Sequence, residues 1–121
     1  MLFIATSNFP GAIDLAFLSR ADLIVTIDLP APDACKAILL DTLDRVARAF
    51  PGIAKLREHP VVAQAAEACV GLDGRCIRKA VIAALAHSRE IAMRPESLTP
   101  DAVLVAIQRA QSERINLEGK R

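Results

Sequence analysis

The chain has no tryptophan and no tyrosine, and only four phenylalanines among 121 residues. So few aromatics leave little to stack on exposed bases, which argues against single-stranded nucleic acid as a ligand. Neither sign of charge is in excess. Fifteen Lys and Arg against fourteen Asp and Glu give a formal net charge of +1, so bulk electrostatics point to neither nucleic acid nor an anionic membrane. Cysteine is sparse as well. Cys35, Cys69 and Cys76 form no C-x-x-C pair, and His59 and His87 stand apart from them and from each other. That spacing fits neither a zinc site nor a disulfide framework, and reduced thiols packed as small hydrophobes are the expectation. No apolar run approaches the roughly 20 residues that span a bilayer. The N-terminus "MLFIATSNFPG" lacks the basic region of a signal peptide. The protein is read as soluble and cytoplasmic.

What the chain does have is 53% hydrophobic residues, much of it alanine. This composition favours helices in close contact over a β-sandwich. Two short apolar runs come first. "LFIA" ends in "TSN" and a Phe-Pro-Gly turn; "LIVTI" ends in "DLPAP". Both are bulky or β-branched and bounded by turn residues, so strands are predicted near 2–6 and 23–27. Between them "AIDLAFLSR" has room for about two helical turns.

After "LPAPD" the pattern changes to helical. Cys35, Ile38, Leu39, Leu43, Val46 and Phe50 recur at helical spacing, and Pro51–Gly52 stops that helix. A short helix is expected over 61–70, a longer one over 74–93, and a last one from an N-cap at Thr99 to about Asn116. The fold class is therefore an α/β fragment followed by an α-helical bundle, divided into residues 1–32 and 33–121.

Four residues stand out chemically. Asn8 lies at the carboxyl end of the first predicted strand, where open sheets bind ligands, although on this stretch alone the favoured reading is that Ser7 and Asn8 cap the following turn. Arg20 follows "LAFLS", where a cation complements a helix C-terminus. Arg75 and Arg78 lie three apart in "GLDGRCIRKAV" and share a helix face. With Lys79 they place cations in the first turns of a helix, against its dipole, an arrangement that a bound anion would relieve.

In order and spacing, "FIATSN", "AIDLAFLSRADLIV", "LPAPDACKAIL" and "GLDGRCIRKAV" resemble the second half of an AAA+ ATPase module, most closely in the pachytene-checkpoint-type remodellers. That resemblance implies the end of a P-loop parallel sheet followed by a four-helix lid. It implies Asn8 as the sensor-1 residue, Arg20 as an arginine finger acting on a neighbouring subunit, and Arg75 as sensor 2 with Arg78 in support. It also implies ATP and Mg²⁺ as cofactors, a hexameric ring and a protein substrate, with no nucleic acid and no membrane. No G-x-x-x-x-G-K-[ST] and no strand ending in an acidic pair is present. The chain is accordingly expected to be the C-terminal portion of a larger ATPase, inactive alone. In the implied sheet the two strands are not neighbours, so residues 1–30 are expected to pack poorly beside a compact bundle at 33–116. The alternatives are a free-standing helical adaptor and nucleic-acid binding through the Arg75–Arg78–Lys79 helix.

Overall fold

The computed structural model describes residues 1–7, 11 and 13–119. Its elements are α1 (Leu15–Ser19), α2 (Pro32–Ala49), a 3₁₀ run (Pro51–Glu58), α3 (Pro60–Ala68), α4 (Gly74–Ala84), α5 (Arg89–Met93), a 3₁₀ turn (Pro95–Ser97) and α6 (Pro100–Gly119). The helix starts follow local chemistry. Pro32, Pro60 and Pro100 occupy first-turn positions, where the missing N–H costs nothing. The Thr99 hydroxyl accepts the Ala102 N–H at 3.2 Å, and the Ser88 hydroxyl accepts that of Ile91 at 3.2 Å.

α6 packs on α3 and α4, while α2 packs on α3, α4 and the 3₁₀ run. Leu39 and Leu43 of α2, Ile53 of the 3₁₀ run, Val62 of α3, Ile77 and Val81 of α4, and Val103 and Ile107 of α6 are sealed from solvent. Thr42 is the buried polar residue among them, and its hydroxyl donates to the Ile38 carbonyl at 2.7 Å. Among the described residues, every buried apolar side chain lies between Cys35 and Ile107.

Two sequence expectations are corrected. The helix expected over 74–93 is broken after Ala84, because Ser88 caps a new helix with Glu90 in its first turn. More importantly, the strands expected near 2–6 and 23–27 do not form. Among the described residues there is no strand and no sheet. A strand is stabilised by a neighbour, and these two runs have none to pair with. The fold is a small helical bundle, not an α/β fragment ending a P-loop sheet. The bundle holds the core, and the described residues of 1–29 are exposed except Ile13 and Leu18, which are half-buried.

Candidate functional site

The turn that launches α4 is held from three sides. Gly71 takes a φ of +98°, a left-handed conformation that glycine tolerates without strain. Leu72, which is 1% exposed, anchors the turn in the core. From α6, the Gln111 amide donates to the Ala68 and Val70 carbonyls, both at 2.7 Å, and so satisfies acceptors left open where α3 ends. Its own carbonyl accepts from Arg114 Nε at 3.2 Å. From α2, the Cys35 thiol lies 3.7 Å from the Cys69 carbonyl and 3.5 Å from that of Pro30. A single thiol thus bridges the α3–α4 turn and the point where the N-terminal segment leaves the bundle.

Asp73 caps α4 by accepting the Cys76 N–H at 2.7 Å. That bond holds its carboxyl below the ordinary carboxylate range, against partial desolvation and with help from the Arg75 charge. Ile77, Ala80, Val81 and Ala84 face the core, and Arg75, Arg78 and Lys79 face solvent. Burial pushes the Cys69 thiol up to about 12, with the neighbouring Cys35 adding to the shift, and burial raises Cys35 as well. Both therefore stay protonated and unreactive. Among the described residues, no group of three or more His, Cys, Asp or Glu side chains is gathered as metal ligands would be. No helix among them is long and apolar enough to cross a membrane.

Arg20 ends α1, its backbone N–H donating to the Phe17 carbonyl at 3.2 Å, with its side chain exposed. Asn8 lies outside the described residues. The structure therefore sets Arg75 and Arg78 together on the bundle and Arg20 on the exposed segment. Among the described residues, no hydrogen bond or ion pair joins the two groups.

That exposed segment is the most unusual surface of the molecule. Met1, Leu2, Phe3, Ile4, Leu15, Phe17, Leu23, Ile24, Val25, Ile27 and Leu29 are all exposed, with Phe3 at 87% and Ile27 at 92%. α1 buries none of its residues. The chain presents 9119 Å² to solvent, whereas a compact monomer of 13.0 kDa presents about 6,300 Å². Scattered exposed leucines are ordinary, but a contiguous apolar segment marks a contact surface. Sequence reading identified the apolar runs correctly. It missed the Gln111 clamp, whose partners lie 41 and 43 residues away.

The chain is 48% identical over 115 residues to CD-NTase-associated protein 6 of Pseudomonas aeruginosa, a match covering 95% of this chain and 38% of that relative. The chain thus spans well under half the length of the curated relative it matches. No protein-family model and no solved structure matches it. These findings correct the AAA+ reading. That reading required two sheet strands, which are not formed, and the relative is described as a CD-NTase-associated protein. The remodelling ATPase, with its ATP-binding, hydrolase and hexameric-ring attributes, is set aside.

Proposed function

We propose that this chain is a helical protein-interaction module, an adaptor whose bundle carries an apolar N-terminal arm as its docking element. The carrying observation is the arm itself: the core is complete without it, and its large apolar side chains face water. The relative's name describes a protein associated with a CD-NTase, and we place this chain in an assembly of the same kind. Free, protonated Cys35 and Cys69 in the core suit a reducing cytoplasm.

Magnitudes say how the arm must dock. Burying seven large apolar side chains of the two runs gains roughly 10–20 kcal/mol, at about 1.5–3 kcal/mol each. Ordering the ten residues 2–6 and 23–27 costs roughly 10–20 kcal/mol of backbone entropy. The two terms nearly cancel, so the fate of the backbone polar groups decides the outcome. Left unpaired in an apolar contact, each costs about 1–3 kcal/mol; paired, each contributes about 1 kcal/mol.

The test is co-expression of this chain with a CD-NTase, followed by affinity purification and sizing. The full chain should co-purify. A variant of residues 32–121, which retains every buried apolar residue described here, should not. Equal recovery of partner by both would refute the arm as the docking element.

A further inference from the structure

The arm and the exposed face of α4 carry opposite charge, and within one copy both stay open to solvent. We infer that they meet between copies: the arm of each chain lies along α4 of a second copy, and two chains form a reciprocal dimer. This inference rests on the interaction-module reading above and names what the arm docks on.

Spacing defines the α4 face. Arg75, Arg78, Lys79 and Ile82 fall at i, i+3, i+4 and i+7, so they share one side of the helix. All four are exposed, Ile82 at 54%. Among the described residues, none of the three cations forms an ion pair. From Arg75 to Arg94 the chain carries Arg75, Arg78, Lys79, Arg89 and Arg94 against Glu90 alone.

The arm is the complement of that face. Residues 1–31 carry Asp14, Asp22 and Asp28 against Arg20. Asp22 and Asp28 bracket the run Leu23–Ile27, are exposed, and form no ion pair among the described residues. Extended, that run spans about 16 Å at about 3.3 Å per residue. The 11 residues of α4 span about the same length at about 1.5 Å each. An acid thus stands at each end of an apolar run as long as the helix it lies along. Apolar contact drives the docking, and the charges choose the face and reject wrong ones. The arm's outward backbone groups keep their water, so none is left unpaired.

The available area suits a second copy. The chain exposes roughly 2,800 Å² more than a compact monomer of its mass, and a stable interface takes about 800 Å² from each partner. Reciprocal exchange closes the assembly at two chains, because both arms and both faces are then used.

The experiment uses the full chain. Sedimentation equilibrium at about 10–100 µM should give twice the 13.0 kDa of one chain, and about 0.5 M salt should weaken the dimer severalfold. Asp22→Lys with Asp28→Lys reverses the arm. Arg75→Glu, Arg78→Glu and Lys79→Glu together reverse the face, and acids in the first turns of α4 suit its dipole, so the bundle should stay folded by circular dichroism. Each variant alone should dimerise at least about tenfold more weakly. Mixed in equal amounts they should form heterodimers, read by native mass spectrometry, because each arm then meets a face of opposite charge. Dimers that tolerate either reversal, or reversed variants that fail to pair when mixed, overturn the α4 assignment. A monomeric wild-type chain that still co-purifies with the CD-NTase through its arm overturns the second copy as occupant and leaves the interaction module standing. A chain that stays monomeric and binds nothing overturns both readings.

Discussion

Replacing Gln111 should loosen the turn that positions the α4 cations without touching the apolar core. Its amide donates to two carbonyls, Ala68 in a part-buried position and Val70 in an exposed one, both at 2.7 Å. In Gln111→Ala the Val70 carbonyl can turn to water, at a net cost of about 0.5 kcal/mol. The Ala68 carbonyl is less able to do so, and an acceptor left short of a partner there costs about 1–2 kcal/mol. The sum is about 2 kcal/mol. For a bundle of this size that corresponds to a fall in Tm of roughly 8–16 °C.

A second variant separates hydrogen bonding from packing of the side-chain stem. Gln111→Glu keeps the stem, but an ionised carboxylate donates nothing and would face two carbonyl oxygens. Arg114, three residues on, would recover about 0.3–0.5 kcal/mol by pairing with it. Thermal and urea denaturation followed by far-ultraviolet circular dichroism at neutral pH should therefore place Glu close to Ala, both well below wild type. If Gln111→Glu matched wild type within about 0.5 kcal/mol while Gln111→Ala did not, stem packing would be the cause and the clamp reasoning would fail.

Three further outcomes are expected. Asp73→Ala should cost about 1 kcal/mol by removing the α4 cap; because the folded carboxyl titrates below its ordinary range, the cap's charge contribution is present above that range and is lost as pH falls through the lowered value, so urea midpoints of Asp73→Asn should show less acid dependence than wild type. Leu39→Ala, at a fully sealed position, should cost about 2–5 kcal/mol in chemical denaturation; a loss below about 1 kcal/mol would mean that the core closes around the gap. Iodoacetamide should add one group to the native protein, at exposed Cys76, and reach Cys35 and Cys69 only after unfolding, as read by intact mass.

The parts of this fold legible in the sequence are those specified within a few residues. α2 was readable because Cys35, Leu39, Leu43 and Val46 repeat at helical spacing between Pro32 and Pro51–Gly52. The start of α6 was readable from Thr99–Pro100. The break between α4 and α5 was also written locally, in Ser88 followed by Arg89 and Glu90, but the apolar periodicity running through it masked the signal. The exposure of Arg75 and Arg78 follows from Ile77 and Val81 taking the buried face. What an exposed cation meets is not written in its own helix.

The N-terminal runs fail as local predictions for a more general reason. Leu23–Ile27 has every residue preference of a strand, yet a strand is a relation between two segments and its hydrogen bonds belong to both. A helix closes its bonds on itself, so α2 needs only an apolar surface to lie on. Leu23–Ile27 needs a neighbouring backbone, and among the described residues the bundle offers none. Nor can the bundle absorb the run's side chains, since its core from Cys35 to Ile107 is already filled. β-branched preference, consecutive apolar residues, unpaired backbone and a closed core are individually common. Together in one segment they explain why the strand expectation fails while the apolar surface stays open. The misread strands and the unburied surface are thus one observation seen twice, first as a pattern without a partner in the sequence and then as apolar side chains without cover in the structure.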